Sequence, residues 1–144
     1  MKKPLIIAAL TLLTFALTAC DPPEGIIVSI DAPTTATLGE TYDITVSTLN
    51  SGEETQLLTS IDLGTAYLDY TTLNSTTPNY TEEWEMGYLG FNSYDYYAEI
   101  QPGETMDIIF NMTANTAGTA SGTLDVCINT ESDCVFNTVS TLIQ

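Results

Sequence analysis

After its third residue this chain has no lysine, arginine or histidine. Lys2 and Lys3 are its only basic residues, against 19 aspartates and glutamates that all lie at or beyond Asp21. Without cationic side chains the body of the chain cannot form salt bridges. No guanidinium or ammonium is present to grip phosphate, sulfate or carboxylate, so an anionic ligand is excluded. Nucleic acid is excluded too, because cation–phosphate contacts supply most of that affinity. The missing histidine and lysine remove the Ser-His-Asp triad, the Cys-His pair, the lysine base and the usual zinc and iron sites. No glycine-rich loop leads into a helix, so no phosphate cradle and no cofactor are expected. A carboxylate pair, as in glycosidases, is the one general acid–base scheme left. Nothing in the spacing marks such a pair, and the chain is expected not to be an enzyme.

Long apolar runs are also missing. The longest, Leu5 to Leu17, is interrupted by Thr11 and Thr14 and is shorter than the roughly 20 residues a spanning helix needs. With Lys2 and Lys3 before it and small residues after it, residues 1–19 have the pattern of a secretory signal peptide. Cysteine is scarce, with three in all. The first closes the apolar run, and Leu17-Thr18-Ala19-Cys20 resembles the bacterial lipobox. The resemblance implies cleavage before Cys20, a diacylglyceryl thioether on its sulfur and further acylation, a palmitate-type lipoprotein anchor. Two or three acyl chains hold a protein firmly to a bilayer where one does not. The bilayer would then be a partner through those chains alone. Asp21 resembles the signal that retains a lipoprotein at the periplasmic face of the inner membrane; the outer membrane or cell surface is the alternative. Residues 20–25 form a short tether, since five residues separate Cys20 from Ile26 and reach at most about 17 Å.

From residue 26 onward the pattern is period two, with turn residues between runs. Tyr42, Ile44, Val46 and Thr48 share one face of one run; Leu57, Thr59, Ile61 and Leu63 share a face of the next. Met106, Ile108, Phe110 and Met112 alternate against Asp107, Ile109, Asn111 and Thr113, and Leu124, Val126 and Ile128 share one face. No stretch carries a helical stripe. About seven short strands predict an all-β fold, a single antiparallel β-sandwich over 26–144.

"LGETYDITVSTLNSG" followed by "IQPGETMDIIFNMTANTAGTASGTLDVCI" resembles the immunoglobulin-like domains of prokaryotic surface proteins, and in particular the cell-adhesion-related domain found in bacteria. Gly39, Asn50, Gly52, Pro102, Gly103, Glu104 and Gly118 stand at that family's turns. The resemblance implies that 26–144 is an immunoglobulin-like β-sandwich whose N-terminus shares a pole with Asn50–Glu54 and Thr130–Asp133. It implies a binding or scaffolding role in the cell envelope. The long segment 64–97 departs from the short family domain and reads as an aromatic and acidic insert.

Cys127 and Cys134 flank "INTESD". A hairpin turning at Thr130–Glu131 would set them opposite each other, within disulfide range, and export supplies the oxidising environment. Two cysteines without histidine make a poor metal set.

Residues 79–97, "NYTEEWEMGYLGFNSYDYY", hold the only tryptophan, five tyrosines, one phenylalanine and four acids. Trp84, Tyr88, Phe91, Tyr94, Tyr96 and Tyr97 are the candidate binding surface, because aromatic rings supply contact area at low entropic cost. Acids between them suit sugar hydroxyls or a cationic envelope protein. Packing against a sheet is the competing use, and Trp84 is the expected packing anchor. Glu82, Glu83 and Glu85 are a weak calcium candidate, since hard cations take carboxylates. Three functions therefore stand side by side: a lipid-anchored binding or scaffolding module, a carbohydrate-binding module, and a carboxylate glycosidase.

Overall fold

The computed structural model describes residues 23–144. The expected signal peptide, Cys20 and Asp21 lie outside the described residues. The chain runs through β1 (Ile26–Asp31), β2 (Thr35–Ala36), β3 (Thr41–Asn50) and β4 (Gln56–Gly64). One helical turn, α1 (Thr65–Leu68), leads to β5 (Thr71–Thr77) and β6 (Glu82–Met86). A 3-10 turn at Gly87–Leu89 then precedes β7 (Phe91–Ile100) and β8 (Thr105–Ala114). β9 (Gly118–Ile128), β10 (Cys134–Val135) and β11 (Thr138–Ile143) complete the order.

Two sheets form. One has the order β1-β3-β8-β5, and the other β2-β11-β9-β4-β7-β6, with β10 also on β9. Among the described residues only β2 and β11 pair in parallel. The periodicity explains why the sheets close on each other. Ile44 and Val46 of β3 and Ile108, Phe110 and Met112 of β8 are fully buried from one side. Leu58, Ile61 and Leu63 of β4 with Leu124, Val126 and Ile128 of β9 meet them from the other. Each such side chain contributes about 1.5–3 kcal/mol by leaving water. Segment 64–97 supplies α1, β5, β6 and most of β7. It extends both sheets at their edges.

One expected face is wrong. β4 does not hold Leu57, Thr59, Ile61 and Leu63 in line, because its pairing with β9 shifts between Leu58 and Ser60. Leu58, Ile61 and Leu63 point inward instead. Thr59 is the bulged residue, and its hydroxyl donates to the Cys127 carbonyl at 2.8 Å. The neighbouring β7 accommodates the same break: Ser60 faces Asp95 and Leu58 faces Ala98, so Tyr96 and Tyr97 oppose Thr59 alone. A two-against-one arrangement of this kind twists the strands and re-aims side chains.

Several buried polar groups are satisfied in directed chains, while the Thr48 and Tyr96 hydroxyls are buried without a partner among the described residues. Thr141 Oγ1 donates to the Pro33 carbonyl at 2.8 Å, which uses its one proton. Tyr67 must therefore donate to Thr141 at 2.9 Å, and Tyr42 to Tyr67 at 2.8 Å. At one pole, buried Asn50 donates to the carbonyls of Glu54 and Ile100 and accepts from the Gly52 amide. Beside it, Glu104 N–H donates to the Gln101 carbonyl at 2.9 Å, closing a turn in which Gly103 sits at φ +79°; a side chain there would be strained. Gly25 belongs to the same pole, where its carbonyl accepts from the Ser51 amide at 2.7 Å.

Candidate functional site

The outer face of the second sheet is not a plain solvent face. β4 carries Ser60-Ile61-Asp62 and β7 carries Ser93-Tyr94-Asp95. The strands are antiparallel, with Ser60 opposite Asp95 and Asp62 opposite Ser93, so each aspartate faces a serine. Period two turns Ile61 and Tyr94 into the core and leaves the Ser and Asp of both triplets outside. Outside here does not mean exposed: Asp62 is 8% and Asp95 3% accessible. Ser93 Oγ donates to Asp62 Oδ1 at 2.6 Å. Trp84 Nε1 donates to Asp95 Oδ2 at 3.0 Å, and the Tyr97 hydroxyl donates to the same oxygen at 3.3 Å.

These four residues floor a groove of about 480 Å³. β6 supplies one wall with Trp84 and Met86, and Tyr88, Leu89 and Phe91 close one end. Tyr97 and Glu131 stand at the other end. Tyr97 lies on this face by alternation and within the irregular stretch of β7, at a left-handed φ of +49°, a conformation that a tyrosine adopts only when its surroundings impose it. Glu131 comes from the β9–β10 turn. That turn is pinned by the Cys127–Cys134 disulfide, whose residues pair directly across the two strands with Cα atoms 3.9 Å apart.

The electrostatics are one-sided. Burial pushes the Asp62 carboxyl up, the Ser93 and Ser60 hydroxyls pull it back, and the nearby Asp125 and Asp95 push it further up. Burial likewise raises Asp125, its neighbour on β9. Asp95 holds the Tyr97 hydroxyl above its ordinary value, with smaller contributions from Glu131 and Glu82.

The aromatic candidates divide. Trp84 and Tyr97 are each 51% exposed and Tyr88 82%, while Tyr94 and Tyr96 are buried. Phe91 is half-buried in the groove wall. Trp84 therefore is not the packing anchor; it stands on an edge strand, where no further strand covers it. Tyr94 and Tyr96 are not binding-surface residues, because alternation turns both rings inward. Tyr94 packs between Tyr80 and Phe110 at centroid distances of 5.3 and 5.8 Å.

The calcium candidate does not assemble. Register places Glu82 with Asp95 on the groove face, and Glu83 and Glu85 with Tyr94 and Asn92 on the other. Among the described residues the one converging set of possible metal ligands is Asp62, Cys127 and Cys134, and a disulfide offers no thiolate. Sequence reasoning passed over Ser60, Asp62, Ser93, Asp95, Met86, Leu89 and Glu131. The available signal was the repeated Ser-x-Asp within two apolar runs, polar residues recurring at strand period where one face was already apolar.

No protein-family model matches the sequence, and no curated protein matches it. Solved structures do match in shape. A Salmonella alpha-2-macroglobulin superposes with a TM-score of 0.54 at 10% identity, over 83% of this chain. The CARDB domain of a Pyrococcus furiosus protein, solved with di-metal ions, gives 0.50 at 14% identity, over 83% of this chain and 87% of that one. This chain has an immunoglobulin-like fold. AvmM, which catalyses macrocyclization in alchivemycin A biosynthesis, shares the shape at 0.51 and 10% identity, over 83% of this chain and 88% of that one. This chain spans only 7% of the alpha-2-macroglobulin it matches. Immunoglobulin-like sandwiches at such identities host unrelated activities, so the likeness speaks for the fold alone.

Proposed function

We propose that this chain is a non-catalytic binding module, held at a membrane of the cell envelope by acyl chains on Cys20, with the outer groove of the second sheet as its ligand site. The observation that supports the site is the exposure of Trp84, Tyr88 and Tyr97 around a floor of buried aspartates. Large rings left half in water, at a concave place with convergent polar groups, are how small binding sites are built. The anchor rests on Leu17-Thr18-Ala19-Cys20. The described residues begin beside the pole that carries Glu53, Glu54 and Asp133, so a short tether would hold that pole toward the bilayer and leave the groove on the flank.

Two experiments test this. Cys20→Ser should release the protein from membranes or leave an uncleaved precursor; equal palmitate labelling of the variant would reject the anchor. Trp84→Ala and Tyr97→Ala should abolish capture of envelope components that the unaltered protein retains. Capture unchanged by both would reject the groove.

A second reading takes the ligand as a glycan. The half-exposed rings of Trp84 and Tyr97, both tied to Asp95, favour it, since aromatic faces and carboxylate acceptors suit a sugar. If that glycan were also cut, Asp62 and Asp95 would be the carboxylate pair, with Asp62 raised toward the acid role. Release of reducing ends from envelope polysaccharide, lost in Asp62→Asn, would establish that reading.

A further inference from the structure

Two buried carboxylates in the groove each keep one oxygen without a hydrogen bond among the described residues. Asp62 Oδ2 makes its close contact with Cys127 Sγ, at 3.7 Å, and a disulfide sulfur has no proton to give; beyond Ser93, the Ser60 hydroxyl is the remaining donor that favours this carboxylate. Both hydrogen bonds to the Asp95 side chain fall on Oδ2, which leaves Oδ1 without one. A carboxylate that is nine-tenths buried and only half hydrogen-bonded is costly. No lysine, arginine or histidine lies anywhere in residues 23–144 to offset it. While the two groups are ionised, a charge that balances them can come only from outside the chain.

The geometry narrows its kind. No three carboxylates among the described residues converge as ligands, so a hard divalent ion finds no cage here. The rings of Trp84 and Tyr97 border the same floor, and an organic cation is drawn both to aromatic faces and to carboxylates. A neutral sugar hydroxyl can donate to Asp62 or Asp95 but cannot neutralise either.

Resting on the reading of this groove as a binding site, we infer that its occupant is a guanidinium or ammonium side chain of a basic partner protein. The cation would sit over Asp62 and Asp95 between the rings of Trp84 and Tyr97. Glu131, on the disulfide-pinned turn, adds negative charge at the mouth. The wholly acidic composition then serves as a field that draws a basic partner in.

Trp84 is the chain's single tryptophan, so its emission reports the groove directly. The test titrates the full-length chain in detergent with acetyl-Gly-Arg-Gly-amide, with its Gln counterpart, and with cellohexaose. The arginine peptide should shift the emission saturably, and the glutamine peptide should bind at least about tenfold more weakly. Asp62→Asn and Asp95→Asn, near-isosteric changes whose folding is checked by circular dichroism, should each weaken the arginine peptide about tenfold. Glu131→Gln, on an exposed turn and harmless to the core, should weaken it about threefold. Glu53→Gln, at the pole, should leave it unchanged. Equal response to the arginine and glutamine peptides overturns the inference, as does indifference to all three groove variants or an equal loss in Glu53→Gln. Response to cellohexaose alone overturns it while leaving the groove a binding site. Silence toward all three probes also overturns it, and the Trp84→Ala capture experiment then decides the groove separately.

Discussion

β7 and β8 are adjacent in sequence and each ten residues long, yet they follow different rules. In β8 the alternation is simple. Ile108, Phe110, Met112 and Ala114 are buried, and Asp107, Ile109, Asn111 and Thr113 face outward with part of their surface in water. In β7 four consecutive residues, Ser93 to Tyr96, are all buried. Tyr94 and Tyr96 meet the core, while Ser93 and Asp95 are covered from outside by Trp84, Tyr97 and the β6 edge. A strand buried on one face belongs to the scaffold. A strand buried on both, with charge on the outer side, floors the proposed binding groove. The contrast can be broken from either strand.

The largest effect is expected in the core. Phe110→Ala should cost about 3–5 kcal/mol, because it opens a cavity against Tyr94, whose ring it meets edge-on. Denaturant unfolding measures it. A loss below about 1 kcal/mol would show that the two sheets do not pack as described. Tyr88→Ala, on the groove rim and 82% exposed, should change stability by less than about 0.5 kcal/mol. An effect as large as that of Phe110 would erase the distinction between scaffold and site.

Replacing Cys127 and Cys134 with serine should cost roughly 2 kcal/mol, as the closed loop is short. The more telling consequence is local. Glu131 loses its fixed position, so the Trp84 response to the arginine peptide should weaken as it does in Glu131→Gln. Unchanged binding would separate the disulfide from the site.

The pH dependence sharpens the comparison further. Asp62 faces Asp125 from β9, Asp95 and Ser93 from β7, and Ser60 on its own strand. Its folded pKa is raised, as is that of Asp125. A carboxyl raised in the folded state binds protons more tightly there than in the unfolded chain. Stability therefore rises as pH falls from neutrality through the raised values, and the gain ends near the ordinary carboxylate value of about 4. The thermal midpoint should climb by a few degrees on mild acidification, and Asp62→Asn should be more stable at neutral pH with a flatter profile. Asp107→Asn, on the wet face of β8, should follow the unaltered protein. A midpoint that falls steadily with acid would contradict the burial assigned to Asp62.

The smallest effect is the most diffuse. Every charged side chain from Asp21 onward is negative, so added neutral salt should raise the midpoint modestly by screening repulsion. A midpoint flat from low to molar salt would show that the acids are too dispersed to oppose folding.

The sequence by itself determined the strand faces of β3, β8 and β9, the Pro-Gly turn before β8, the pairing of Cys127 with Cys134, and the absence of any internal cation. All of these are local. Adjacent side chains on a strand must point oppositely, a short hairpin must bring its flanks together, and an inventory needs no coordinates. Tertiary structure alone decided the rest. Whether Ser60, Asp62, Ser93 and Asp95 face water depends on which distant strand lies beside them. The bulge at Thr59 arises from register across three strands, and it switches the inward face of β4 from Leu58 to Ile61 and Leu63. Trp84 reads as an anchor in sequence because it is large and apolar. It is exposed because β6 falls at a sheet edge, a position set by pairing partners that no local pattern encodes.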